Sequence, residues 1–383
     1  MTAPNGTSTH PVIDSSVNIF FRSPVDLRNH LAEPWKSRGF PDPDVAWFAP
    51  PDGKRYAPGT DGGGEITEME FKKGLTTVKA HPGSDPAFVG RQLIDERGVD
   101  YAVLHPMSSA AILPDWHLGT ALLAVHNRML VERWLDDDTY GERFRGTIRV
   151  NPNDIDGAVR EIERWKDHPR VVQIGLPMQT QHPYGRSIFR PLWRAAVEAG
   201  LPVAVHLEMG QGITHPPTPS GITRTYSHLV SYQPMTFVWH LLNMIAEGVF
   251  EEFKDLRIVW ADGAADMLTP FIWRMDSFGR PHLEQTPWAP KIPSAYLADH
   301  VYFVHGSLDG PGADADFADR WLAMTGKEDH LLFGSSYPDW QTITPDDLPR
   351  AWTPEQREKV LWRNASRLYG IEAGAPATAG SPA

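Results

Sequence analysis

The stretch Leu201-Pro-Val-Ala-Val205 is apolar throughout and delivers His206 where it ends. A strand covered by helices on both faces reads this way, because neither face needs polar residues. The same pattern recurs outward from it. Asp100-Tyr-Ala-Val-Leu-His105, Phe144 to Val150, Val171 to Leu176, Arg257-Ile-Val-Trp260, Val301 to Val304 and Leu331-Leu-Phe333 are further short apolar runs, and Val12-Ile13-Asp14 opens the series. Helical stretches lie between them: Pro86 to Glu96, Leu118 to Leu135, Asp156 to Trp165, Ile188 to Glu198, Met235 to Glu247 and Met267 to Asp276, with Pro354 to Leu368 at the end. Gly98 and Gly200 supply two of the helix stops.

Strand and helix alternate about eight times, which calls for a parallel sheet covered by helices. No Gly-x-Gly-x-x-Gly follows an early strand, so a closed (β/α)8 TIM-type barrel is expected over an open doubly wound sheet. The expected organisation is one barrel over residues 1–371, with a long covering insertion at about 23–79 and a flexible tail at 372–383. The insertion contains Pro/Gly-rich and aromatic segments such as Trp47-Phe-Ala-Pro-Pro51, suited to capping a pocket or making a subunit contact.

The 36 Lys and Arg against 48 Asp and Glu give a formal charge of -12 with no basic tract, which argues against nucleic acid as a partner. With no cysteine, disulfides, iron–sulfur ligation and thiol nucleophiles are excluded. Neither a signal-like start nor an apolar run of about eighteen residues is present, so a cytoplasmic protein without a membrane span is expected. No Gly-x-Ser-x-Gly elbow occurs, and Ser16 with His206 has no convincing triad order.

Four further stretches carry a resemblance: Gly248-Val-Phe-Glu-Glu-Phe-Lys-Asp-Leu-Arg-Ile-Val259, Trp273-Arg-Met-Asp276, Leu332-Phe-Gly-Ser-Ser-Tyr-Pro338 and Asn364-Ala-Ser-Arg-Leu-Tyr-Gly370. In this order they resemble the amidohydrolase-related superfamily, in the branch of aminocarboxymuconate semialdehyde decarboxylase-like and hydroxybenzoate decarboxylase-like enzymes, from about Val12 to Ile371. The resemblance implies metal ligands at the ends of the first, fifth and eighth barrel strands. Carried over, those positions are Ser16 and Asn18, His206, and Ser336. Three imidazole or carboxylate donors have become neutral hydroxyl or amide oxygens, poor partners for zinc or iron.

Other donors follow strands as well. His206 and Glu208 alternate at a strand end, and Asp262 and His305 each follow a strand, so together they offer two imidazoles and two carboxylates for a residual mononuclear Zn site. Metal-free acid–base work, or a hydrogen-bonded relic with capping carboxylates, stays open beside it. His105 also ends a strand. His240 reads as a packed helix residue, His117 and His126 as structural, and Asp339 as a poor substitute for Ser336 because Pro338 redirects the chain.

Two functions are therefore expected from the resemblance. One is an accessory or scaffold subunit with a degenerate site, similar to the metal-poor subunit of a two-component 2-aminoisobutyrate hydroxylase-type monooxygenase. It would support a related catalytic chain holding Fe or Mn in a hetero-oligomer. The alternative is an autonomous decarboxylase or hydrolase with a site rebuilt around His206.

Overall fold

A computed structural model describes residues 11–22, 24–37, 65–70, 74–108, 110–207, 225–261, 265–279, 284–305, 328–339, 342–349 and 352–372. Eight of its strands form one sheet in the order β1 (Ile13–Ile19), β4 (Tyr101–Pro106), β5 (Phe144–Arg149), β6 (Val171–Pro177), β7 (Val203–His206), β8 (Ile258–Trp260), β9 (Val301–His305) and β10 (Leu331–Phe333). Every neighbouring pair is parallel. A parallel bridge between Val17 and Tyr337 brings the last strand's exit against the first, so the ring is nearly closed. This is the TIM-type barrel expected from the alternation of apolar runs.

The helices begin where short polar side chains satisfy free N–H groups. Asp85 accepts from Phe88 N at 2.9 Å at the start of α2 (Pro86–Gly90), whose helical path continues through wider π-type turns to Glu96. Asp115 caps α3 (Trp116–Met129) by accepting from Leu118 N at 3.1 Å, and Asp154 caps α4 (Ile155–Trp165) by accepting from Gly157 N at 3.0 Å. The covering layer continues through α5 (Arg190–Glu198), α6 (Tyr226–Ala246), α7 (Val249–Glu252), α8 (Ala265–Gly279) and α9 (Pro293–His300). Among the described residues, no helix is long and apolar enough to cross a membrane.

Three differences from the sequence expectation stand out. The insertion contains α1 (Pro24–Asn29) and an antiparallel hairpin, β2 (Glu65–Glu70) with β3 (Gly74–Lys79), where composition had suggested irregular chain. Both segments are rich in residues of high strand propensity, which composition alone did not weigh. Helix α6 begins at Tyr226, well before Met235, and its backbone stays helical through Pro234. Helix α9 lies between Asp276 and Val301, where the sequence pattern predicts no element. The tail beyond Glu372 lies outside the described residues.

Two hydrophobic layers hold the barrel. Ile148, Ile174, Leu176, Val203, Val205, Ile258, Trp260 and Phe303 face outward into the helices, with Leu122, Ile162, Leu192 and Leu241 among those packed against them. Ile13, Val103, Val172, Ala204, Val259, Val304 and Leu332 fill the interior, together with Trp362, Ala365 and Tyr369 of the C-terminal segment. That segment seals the lower end, and Asn364 anchors it by donating to the carbonyls of Glu328 and Leu331 at 2.7 and 2.9 Å. The upper interior, at the C-terminal ends of the strands, is polar. Barrel chemistry is sited there.

Candidate active site

The first strand carries an extra residue. Asp14 pairs with Ala102 and Val17 with Leu104, so three steps on β1 oppose two on β4 and Ser15 and Ser16 occupy a bulge. Asp14 Oδ1 accepts from Ser16 N at 3.1 Å and from Ser335 N at 2.8 Å, joining the bulge to the loop after β10. Burial pushes the Asp14 carboxyl up to about 6, and the hydrogen bonds from Ser335 and Ser16 only partly offset it.

At the family's ligand positions, Ser16 is fully buried in the bulge, while Asn18 is 8% exposed and donates its backbone N–H to Tyr337 O at 2.7 Å. Ser336 sits at φ 55°, an uncommon left-handed conformation for a residue with a side chain. His206 is buried at the end of β7, with Nδ1 2.6 Å from Leu207 O. A carbonyl can only accept, so Nδ1 carries a hydrogen. His206 alone is a strong donor in this set. Two hydroxyls and an amide beside one imidazole do not fit a tightly held transition metal.

Of the other candidates, Glu208 and Asp262 lie outside the described residues, and of His305 only the backbone, ending β9, is described. Among the described residues no group of three His, Cys, Asp or Glu side chains is placed to hold an ion. His240 is engaged at both nitrogens: Nε2 donates to Met178 O at 2.8 Å and Nδ1 accepts from Tyr184 N at 3.3 Å, while burial pushes its pKa down to about 4. His126 is buried against Phe21 with Nδ1 donating to Leu122 O at 2.8 Å, and burial likewise pushes it down to about 4. His117 is exposed on α3. Asp339 donates its backbone N–H to Ser336 O at 2.8 Å, in a turn around the displaced position.

What the structure brings together is His206 and His105. Their rings lie 5.0 Å apart, tilted by 34°. His105 is paired in register with Asn18, fully buried, and its Nε2 is 3.1 Å from Ser15 O.

Arg149, the last residue of β5, carries no motif that marks it in the sequence. It is fully buried, and desolvation pushes its pKa down to about 10. Gly175 on β6 leaves the room: a Cβ there would stand 2.8 Å from both Arg149 Cδ and Thr147 Cγ2, so Arg149 and Thr147 share the interior face. Asn127 of α3 fixes the Arg149 backbone, accepting from its N–H at 2.6 Å and donating to its carbonyl at 2.8 Å. A charged residue ending an apolar strand was the available signal.

No curated protein matches the chain. Among solved structures, it is similar to an amidohydrolase from Mycobacterium avium subsp. paratuberculosis K-10, 19% identical with a TM-score of 0.69 over 95% of this chain and 100% of that one. It is similar to 5-carboxyvanillate decarboxylase from Sphingomonas paucimobilis, 20% identical with a TM-score of 0.63 over 95% and 100%. A dihydroxybenzoic acid decarboxylase from Polaromonas sp. JS666, with bound manganese and the inhibitor 2-nitroresorcinol, is 16% identical with a TM-score of 0.64 over 96% and 99%. At these identities the likeness shows the fold. The amidohydrolase family model matches residues 25–371, and the chain belongs to that family.

Proposed function

We propose that this chain is an amidohydrolase-fold lyase of the decarboxylase kind, acting on a small organic acid at a site rebuilt around His206. The observation that carries the reading is the His105–His206 pair, held in the upper interior of a barrel that also encloses Arg149. Arg149 would supply fixed positive charge for an anionic substrate in the low-dielectric barrel interior. The substrate's bond to its carboxylate carbon breaks, CO2 leaves, and the electron pair stays on the remaining carbon. One of the two imidazoles, having taken a proton from solvent, returns it to that carbon. No step is routed through a metal, because Ser16, Asn18 and Ser336 do not fit one. The solved decarboxylases of the same fold support this reading over an oxygenase subunit.

The test is CO2 release by the purified chain from a panel of hydroxybenzoates and related carboxylic acids, with metal content measured on the same samples. His206→Ala and Arg149→Met are expected to lower turnover by about a hundredfold or more. Full turnover in His206→Ala would refute the proposal.

The three neutral donors at the ligand positions favour a second reading, an accessory barrel supporting a related metal-bearing chain. That reading expects an inactive isolated chain and a stable mixed oligomer whose Fe or Mn and activity depend on the partner's ligands.

A further inference from the structure

A column of buried polar groups rises from the C-terminal helix to His105. Tyr369 places its hydroxyl 3.2 Å from Gln173 Oε1; Gln173 Nε2 stands 2.7 Å from Thr147 Oγ1 and 3.2 Å from His105 Nε2; and His105 Nε2 is 3.1 Å from Ser15 O. His105, Thr147 and Gln173 are fully buried and Tyr369 is 8% exposed.

His105 Nε2 thus faces two neighbours of opposite demand. The Ser15 carbonyl can only accept, so it requires the proton on Nε2, whereas an amide NH2 can only donate and requires a lone pair there. The carbonyl is backbone and does not turn, but the amide does, and its oxygen and nitrogen are distinguished only by their partners. With Oε1 turned upward, Gln173 accepts from both His105 Nε2–H and the Thr147 hydroxyl, while its NH2 donates downward to Tyr369 Oη. This arrangement gives Gln173, Thr147 and the Ser15 carbonyl compatible partners, with the one Nε2–H shared between the Ser15 and Gln173 oxygens. The opposite one leaves the Ser15 carbonyl facing a lone pair.

We propose that Gln173 and Tyr369 are positioning residues that lock His105 as its Nε2–H tautomer, so that the imidazole beside His206 works through a proton-accepting Nδ1. The inference rests on the reading of His105 and His206 as the proton-handling pair. An interior filled only for packing would be apolar, as the Val103, Val172, Val259, Val304 and Leu332 positions are, because buried polar groups without a task add desolvation cost.

The test is nitrogen-15 NMR of the histidine rings in the full chain at neutral pH. His126, which donates from Nδ1, and His240, which donates from Nε2, serve as internal references for the two tautomers. The wild type is expected to show His105 in the His240-like pattern. Gln173→Glu keeps an acceptor toward His105 and should keep that pattern. Tyr369→Phe removes the acceptor for the amide NH2, so the amide can turn its donor toward His105. Its Nε2 and Nδ1 resonances should then move toward averaged values while those of His126 and His240 stay put. A His126-like pattern for His105 in the wild type, or an unchanged pattern in Tyr369→Phe, would overturn the inference. The readout needs no turnover: a chain with the expected spectra but no lyase activity sinks the proposed reaction alone, and an active chain with the wrong spectra sinks this inference alone.

Discussion

Asn18 gives its backbone N–H to the carbonyl of Tyr337 at 2.7 Å, and that bond closes the ring of strands at one of the positions where the family resemblance implies a metal ligand. The seam is reinforced by Asp14, whose carboxylate reaches from β1 to the Ser335 N–H. Closure and candidate chemistry therefore share one short stretch of chain.

The Asp14 carboxyl is raised from 3.8 to about 6 by burial, so the stability it contributes is full below about pH 4 and is lost as pH rises through about 6. His126 and His240 act in the opposite sense. Each is lowered from 6.5 to about 4 by burial, and their contribution is full above about pH 6.5 and lost as pH falls through about 4. Each shift corresponds to about 3 kcal/mol. These three groups together should cost the chain about 3 kcal/mol between pH 7 and pH 4. Asp14→Asn removes the opposing contribution and should deepen the acid loss to about 6 kcal/mol, measured by urea unfolding at the two pH values. An unchanged difference would refute the assignment.

Gly334 leads out of β10 with no space above its Cα. A Cβ there would stand 2.3 Å from Val304 Cγ1 and 2.9 Å from Ser16 Cβ. Gly334→Ala is expected to destabilise the barrel by about 1–3 kcal/mol through overpacking. Thermal unfolding reads this directly, and a melting point equal to wild type would count against the tight seam.

Asn127 satisfies both backbone groups of Arg149 and also donates to Glu161 Oε2 at 3.1 Å. Asn127→Leu strands buried polar partners and should cost about 2–4 kcal/mol in urea unfolding. A loss under about 1 kcal/mol would show that the bracket around Arg149 is dispensable.

At φ 55°, position 336 suits Asp better than most residues, because short polar side chains tolerate the left-handed region. Ser336→Asp should fold normally. Combined with Ser16→His and Asn18→His, it is expected to raise affinity for Mn or Zn above that of the parent, as titration calorimetry would show. Equal affinity in the triple variant and the parent would mean that the barrel top has lost the ligand geometry as well as the ligands.

The strands were legible because barrel strands are nearly continuous apolar runs, and the Leu201–Val205 stretch is followed by its histidine with no other reading needed. Helix α6 was read too short because Pro234 looks like a boundary, although its backbone continues through it. At the site, His206 and His105 were visible as strand-terminal imidazoles, but their contact depends on strands that pair through β5 and β6 and is not local in the chain. Gln173 passed as one polar residue inside Val171 to Leu176, and its link to Tyr369 spans 196 positions. Arg149 went unread because a single charge at a strand end looks like solvent-exposed punctuation until the barrel interior is known.

Because Tyr369 enters the barrel from its lower end, the order of synthesis matters. A chain that stops before residue 364 has all eight strands in its sequence but lacks the Gln173 contact to Tyr369 and the Asn364 contacts to the carbonyls of Glu328 and Leu331. The interior is therefore finished only once residues 364–369 have been made and have joined it. Any truncation that clips the closing helix leaves a ring of strands without a keystone.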